Sequence, residues 1–300
     1  MRVLLTGVAG FIGSHLARLL LQEGHQVTAI ISPSSNLRRL PRRNWLTVSP
    51  TDLRRGHSPR AEQCLAIRGD LHDVEDTADA ITYTEPDLCI HLAWRGWVGP
   101  QEQNLVSLSA SASLLRVLAD VGCRRAVLAG TCFEYDLSGD DPLVEAAALQ
   151  PRGMYAVCKT ALYELGQALN DAGLVSVATA RIFNCYGPME DPRGLVPSIT
   201  RSLLRGEPAV LSPGAQRRDY LHVEDVASAI WRIAQSGVAG AVNVASGKTV
   251  SVAEIARNIA ALVGRPDLLA LGAITYRPYD PMHVQADATI LKRLGWFQRY

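Results

Sequence analysis

The chain has 300 residues, 48% of them hydrophobic and 20% charged, enough to bury a large core as one big domain or two lobes. Lys plus Arg (30) nearly cancels Asp plus Glu (29), which excludes a dedicated nucleic-acid or polybasic membrane surface. No apolar run approaches the ~20 residues that span a bilayer, and no secretory signal opens the chain, so a cytoplasmic protein without nucleic-acid or membrane partners is expected.

Short β-branched runs at residues 3–6, 26–31, 65–68, 88–92, 126–129 and 175–181 read as strands. Helical patterns lie between them at 12–23, 74–84, 103–121 and 155–171. Strand and helix alternate, and the strands are continuously apolar, as in a parallel sheet covered on both faces. The polar, arginine-rich stretch 37–58 reads as a surface loop or irregular insertion. Gly and Pro punctuate 185–197 and 206–214, where the alternation stops and a smaller lobe is expected to begin. Helices at 223–235 and 252–263, the second capped by Ser251, and a strand at 241–244 follow. The expected architecture is α/β: a Rossmann-type doubly wound parallel sheet with a smaller C-terminal substrate-binding lobe. Residues 1–184 with about 219–240 would form the dinucleotide-binding domain, and 185–218 with 241–300 the lobe.

Six scattered cysteines lack any Cys-x-x-Cys pair and read as reduced packing residues. His91, His222 and His283 have no second ligand at zinc-site spacing, so no metal is expected.

Gly7, Gly10 and Gly13, with Phe11 and Ile12 between the last two, join the first strand to the first helix. Glycines there permit a tight turn and close approach of backbone to a pyrophosphate, which the helix N-terminus favours electrostatically. The spacing Gly-x-x-Gly-x-x-Gly is one residue wider than that of standard Rossmann dehydrogenases. The second strand ends in Ser32, Ser34, Ser35 and Asn36 with Arg38 following, and has no carboxylate for a ribose 2′-hydroxyl. Hydroxyl and guanidinium groups suit a 2′-phosphate, so NADP is expected, with NAD as the alternative. A loop capping a helix would carry the same residues. Asp70 ends the third predicted strand, where its carboxylate could accept from an adenine amino group or cap the next helix.

Tyr155 and Lys159 stand four apart, on one face of a predicted helix. An ammonium beside a phenol would lower the phenol pKa from ~10 toward the working pH, as proton transfer at an alcohol oxygen requires. Such a pair is by itself common on helix surfaces.

Together with Gly69-Asp70-Leu71, His91-Leu92-Ala93, Arg181-Ile182-Phe183-Asn184-Cys185-Tyr186-Gly187-Pro188 and Arg218-Asp219-Tyr220-Leu221-His222-Val223-Glu224-Asp225-Val226, these features resemble the extended short-chain dehydrogenase/reductase family, in its nucleotide-sugar epimerase/dehydratase branch. The resemblance covers essentially the whole chain. It implies that Tyr155 is the acid/base, that Lys159 binds the nicotinamide ribose, and that Thr131 hydrogen-bonds the reacting oxygen. Leu71, Leu92 and Ala93 would line the cofactor site. Asn184 would contact the sugar nucleotide, and Arg218 and Arg277 would clamp its diphosphate, although each arginine could equally form an ion pair.

The chain departs from the family where dehydratases carry an Asp-Glu pair, having Cys132 and Phe133 against the substrate instead, which disfavours dehydration. Trp94 and Trp97 stand where small residues are commoner and either shape the substrate pocket or serve packing. Relatives usually carry a further helix after Leu294-Gly295-Trp296, where this sequence stops at Tyr300. They often dimerise by a four-helix bundle. Here residues 103–121 and 155–171, with faces such as Leu114, Leu115, Val117 and Leu118, could form a homodimer or pack on the sheet.

The expected activity is NADPH-dependent 4-ketoreduction of an NDP-4-keto-6-deoxyhexose. An NDP-sugar 4-epimerase with tightly bound NAD is the alternative. A non-catalytic NADP-binding regulator and a reductase of non-nucleotide carbonyls are the remaining readings.

Overall fold

The computed structural model describes residues 1–33, 35–40, 45–50, 52, 64–96, 100–278 and 280–300. Strands β1 (Arg2–Thr6), β2 (Gln26–Ile31), β3 (Trp45–Val48), β4 (Cys64–Arg68), β5 (Leu88–His91), β6 (Arg125–Thr131), β7 (Ser176–Ile182) and β11 (Gly240–Val244) form one sheet. Its order is β11-β7-β6-β5-β1-β2-β4-β3, and every pairing is parallel. Consecutive residues of the inner strands are buried because helices cover both faces.

On one face, α1 (Phe11–Gln22) and α6 (Val223–Gln235) bury Leu16, Leu20, Val226 and Ile230 with Leu5. On the other, α3 (Gln103–Asp120) and α4 (Gly153–Asp171) bury Leu114, Leu118 and Leu162 with Leu4 and Leu128, flanked by α2 (Val74–Thr84). The strand order reverses between β1 and β5, which opens a crevice at their carboxyl ends, the usual ligand position in open α/β sheets.

Two expectations need correction, and a third region holds elements that its punctuation conceals. Residues 37–58 do not all form a loop, since Trp45–Val48 is the edge strand β3 on β4, with Val48 packed against Leu65 and Ile67. The flanking arginines hide a four-residue aromatic and β-branched run. The punctuated region after residue 184 holds β8 (Asn184–Tyr186), α5 (Leu195–Leu204) and β9 (Ala209–Leu211). Pro197 does not prevent α5, because it lies in the first turn, where its missing N–H would have had no helical partner. Finally, 241–244, assigned to the smaller lobe, belongs to β11 in the large sheet.

Strand β10 (Arg217–His222) centres a second sheet, pairing antiparallel with β12 (Thr249–Ser251) and parallel with β14 (His283–Val284) and β8. Helix α7 (Val252–Val263) starts in a capping box, with Ser251 Oγ accepting from the Glu254 amide at 3.1 Å and Glu254 Oε2 from the Ser251 amide at 2.8 Å. Strand β13 (Leu269–Leu271) pairs with β9, and α8 (Thr289–Arg293) packs on β11. Among the described residues the six cysteines form no disulfide. Among the described residues no helix is long and apolar enough to cross a membrane.

Leu114, Leu115, Val117 and Leu118 all face the core, so they are packing residues of the sheet. The large apolar side chains that α3 and α4 expose are instead Leu105, Val106, Met154, Val157 and Leu165.

Asn243 of β11 ties distant segments together. Its Oδ1 accepts from the Tyr135 hydroxyl at 2.7 Å, and its Nδ2 donates to the carbonyls of Leu143 (2.8 Å) and Asp287 (3.1 Å). Asn243 is fully buried and Tyr135 nearly so, while the bonds to Leu143 and Asp287 are partly buried. Asn243→Ala strands these groups and is expected to lower unfolding stability by about 2–4 kcal/mol, read from urea unfolding; a loss under about 0.5 kcal/mol would refute the tie.

Candidate functional site

The turn after β1 folds around its glycines. Gly7 has φ +74°, and a Cβ there would meet Ala93 N and Leu92 C at 2.7 Å. A Cβ at Gly13 would overlap the Gly7 carbonyl, so strand and helix touch through bare backbone. The Gly10 amide donates to Gly7 O at 2.9 Å. Gly10 caps α1 without a side-chain bond, and the first turn of α1 has no acidic residue. Its free amides and positive dipole end therefore face an anion unopposed, and the cradle fits a dinucleotide pyrophosphate.

A cavity of about 770 Å³ runs from this turn across the ends of β1, β2 and β4. It brings together Gly7, Gly10, Ser32, Ser35, Asn36, Arg38, Asp70, Leu71, Leu92, Ala93 and Trp94 from the expected set. Phe11, Ile12 and Gly13 lie behind the wall in the first turn of α1, and Ser34 and Trp97 fall outside the described residues. Asn36 does cap a helix, as the competing reading had it: its Oδ1 accepts from the Arg38 amide at 3.0 Å over a single 3-10 turn. Asp70 does not cap α2 with its carboxylate. Its Oδ1 takes the His72 amide at 3.2 Å, while its backbone carbonyl takes the Asp73 amide at 2.8 Å.

Among the lining residues that sequence reasoning missed are Arg95 and Glu190. Arg95 reaches from beyond β5 to donate through Nη2 to Ser32 Oγ at 2.9 Å, with Asp70 Oδ2 at 3.5 Å. Glu190 also lines the cavity, with a buried Oε2 that has no hydrogen bond among the described residues, and burial pushes its carboxyl up to about 7. Neither has a spacing signal, because each meets its neighbours only through the fold.

In the cavity floor, the buried His91 sits between Thr6 Oγ1 (2.7 Å from Nδ1) and Ser111 Oγ (2.8 Å from Nε2). Ser111 donates to Ser107 O at 2.6 Å, so it must accept from His91, which places the ring proton on Nε2. Burial, with the Lys159 charge adding to it, holds this imidazole down at about 3, so it is neutral and structural.

Thr131, Tyr155 and Lys159 converge beyond Trp94. Thr131 ends β6, and its hydroxyl is hydrogen-bonded to that of Tyr155, near the start of α4. Lys159, one turn on, is buried and donates from Nζ to Ala129 O at 2.8 Å. Its Nζ also lies 3.8 Å from the centroid of the Trp94 ring, which meets Tyr155 edge-on at 6.3 Å. Asn104 fixes that indole by accepting from Nε1 at 2.9 Å.

The expected lowering of the Tyr155 pKa is not found. Burial pushes the phenol up against the Thr131 bond, and burial pulls Lys159 down to about 7, with Glu134 opposing. Desolvation outweighs pair electrostatics at both groups because Lys159 Nζ is 6.0 Å from the Tyr155 ring centroid.

A buried ion pair supports this corner. Glu134 Oε2 accepts from Arg181 Nε at 2.7 Å, and its Oε1 accepts from the Thr131 amide at 2.7 Å in a capping box. Arg181 lies between the Tyr135 and Tyr163 rings, 4.5 Å from each centroid. Next to Thr131, the Cys132 thiol is buried and pushed up to about 12, and Phe133 is partly exposed.

Of the remaining expected substrate residues, Asn184 donates from Nδ2 to Asp219 O at 3.2 Å. Arg218 forms the ion pair that was its competing reading, with Nη2 at 2.7 Å from Asp280 Oδ1. Arg277 is exposed and makes no side-chain hydrogen bond among the described residues. None of these three lines the cavity described above.

The depressed Lys159 pKa sets a pH signature. The unfolded chain holds a proton here up to 10.5 and the folded protein only to about 7, so this group's contribution to stability rises with pH across that window. Lys159→Met is therefore expected to raise the melting temperature at pH 7, with a gain that shrinks toward pH 10. Calorimetry at the two pH values checks this, and a gain independent of pH would show that Lys159 is not buried as a cation.

A model described as the NAD dependent epimerase/dehydratase family matches residues 3–245. The trifunctional UDP-glucose 4,6-dehydratase/UDP-4-keto-6-deoxy-D-glucose 3,5-epimerase/UDP-4-keto-L-rhamnose-reductase of Arabidopsis thaliana is 27% identical over 99% of this chain, which spans only 44% of that protein. A UDP-glucose 4-epimerase of Halalkalibacterium halodurans is 24% identical over 100% of this chain and 91% of its own length. Among solved structures, UDP-glucose 4-epimerase of Thermotoga maritima shares the fold, with TM-score 0.85 and 23% identity over 100% of this chain and 94% of that one. MoeE5, solved with UDP-glucose and NAD, is 30% identical with TM-score 0.80, over 100% of this chain and 94% of its own. The chain belongs to the NAD dependent epimerase/dehydratase family.

Proposed function

We propose that the protein is an NADPH-dependent 4-ketoreductase of an NDP-4-keto-6-deoxyhexose. The observation that carries this reading is the end of β2, where Ser32 meets Arg95, Arg38 and Arg39 line the same cavity, and no carboxylate stands for a ribose 2′-hydroxyl. A bound nicotinamide would supply the hydride. Gly7, Gly10 and the α1 amides would hold the pyrophosphate, and Asp70 the adenine edge. Lys159 would bind the nicotinamide ribose hydroxyls once released from Trp94.

Tyr155 would donate the proton to the sugar O4 as the carbonyl is reduced, and Thr131 would hold that oxygen in line. In this role the raised phenol pKa keeps the donor protonated at working pH. Cys132 and Phe133 offer no carboxylate to remove a proton or expel water, which supports reduction over dehydration. Asn184, Arg218 and Arg277 would receive the nucleotide sugar, with Arg218 exchanging Asp280 for a diphosphate. Residues 185–218 and 241–300, apart from β11, would form the substrate lobe.

A homodimer would bury the exposed Leu105, Val106, Val157 and Leu165 in a four-helix bundle. A second reading, NDP-sugar 4-epimerase with retained NAD, is favoured by the likeness to UDP-glucose 4-epimerases.

Tyr155→Phe is expected to cut turnover of a 4-keto sugar nucleotide at least ~100-fold while NADPH affinity stays within about threefold. Steady-state kinetics with fluorescence titration checks this, and undiminished turnover would remove Tyr155 from the mechanism. NAD co-purifying in stoichiometric amount would favour the epimerase.

A further inference from the structure

We infer that Arg95 is the residue that selects the phosphorylated cofactor, reading the adenosine 2′-phosphate from the loop after β5. The inference rests on the NADP reading above and names a selector outside the β2 loop, where the choice was expected.

The position of Arg95 is built. Its amide donates to Ser107 Oγ at 2.9 Å and its carbonyl accepts from the same hydroxyl at 3.2 Å, so the first turns of α3 hold its backbone from both sides. Gly96 follows with φ +98°, and a Cβ there would meet Asn104 Nδ2 at 2.6 Å, so the turn closes directly onto α3. Asn104 Nδ2 donates to Gly96 O at 3.1 Å, and both Ser107 and Asn104 are buried. From this anchor the side chain crosses the end of β1 to Ser32, at the end of β2. A carboxylate at that strand end would bond a ribose 2′-hydroxyl; here a guanidinium and a hydroxyl meet instead.

Among the described residues the guanidinium bonds only through Nη2, so Nε and Nη1 keep donors for a ligand. The guanidinium lines the cavity and is 43% exposed, so an incoming anion reaches it without displacing core. Arg38 and Arg39 share the wall, their backbone held by the Asn36 cap and by Arg18, so Arg95→Ala separates the contribution of Arg95 from theirs. Asp70, at 3.5 Å, orients the fork without neutralising it through a close bidentate pair.

The test uses adenosine 2′,5′-bisphosphate against AMP, and NADP against NAD, titrated by calorimetry into wild type, Arg95→Ala and Arg95→Lys. Wild type is expected to prefer each 2′-phosphorylated ligand by at least about tenfold, the scale of a charge-assisted pair. Arg95→Ala is expected to bring both preferences within about threefold, and Arg95→Lys, which keeps charge without the fork, to fall between. If wild type has the preference and Arg95→Ala keeps it, the selector lies elsewhere while the NADP reading stands. An equal loss of affinity for all four ligands in Arg95→Ala would make Arg95 a loop clamp, not a selector. If wild type itself shows no preference, the NADP reading fails and this inference with it.

Discussion

The site's geometry depends on one buried ion pair. Glu134 spends one carboxylate oxygen on the Thr131 amide and the other on Arg181 Nε, both at 2.7 Å. Arg181 belongs to β7, Glu134 to the 3-10 turn after β6, and the Tyr163 ring against the guanidinium to α4. The strand that carries Thr131 and the helix that carries Tyr155 and Lys159 are thus locked to each other, and to β7, at one point. Such a pair adds little net stability, because desolvating both ions offsets their attraction. What it supplies is a fixed orientation, and losing either partner leaves an uncompensated charge beneath the reacting groups.

Local signals in the chain were legible. The β1 turn and α1 could be read because glycine positions, strand and helix are contiguous, and Tyr155 and Lys159 because a helix turn sets their spacing. The inner strands were legible because burial on both faces leaves continuous apolar runs. The short edge strand β3 and α5 were not: flanking arginines and Pro197 carry the sign of loop, and only pairing on β4 or first-turn placement reverses it. Glu134 with Arg181 (47 residues apart) and Arg95 with Ser32 (63 apart) have no local pattern at all. The protonation state of the Tyr–Lys pair was misjudged for the same reason, since spacing reveals proximity but not how thoroughly Trp94 and the sheet exclude water.

The near-neutral composition bears on how an anionic ligand is met. With no field from the whole surface, attraction falls to groups placed by the fold: the α1 amides, then Arg38, Arg39 and Arg95 on the cavity wall. Glu190 shares that wall, and burial pushes its carboxyl up to about 7, which disfavours its negative charge there. Counter-charge is therefore local.

The bare-backbone contact between Gly7 and Gly13 also divides the cofactor crevice into two kinds of surface. At the floor, any side chain collides with main chain, which cannot move without parting β1 from α1. At the rim, Ser32, Arg38 and Arg95 are partly exposed side chains on backbone anchored independently, by the Asn36 cap and by Ser107. The floor is thus frozen while the rim is modular: ligand preference can drift or be redesigned one rim side chain at a time, and the sheet beneath need not register the change.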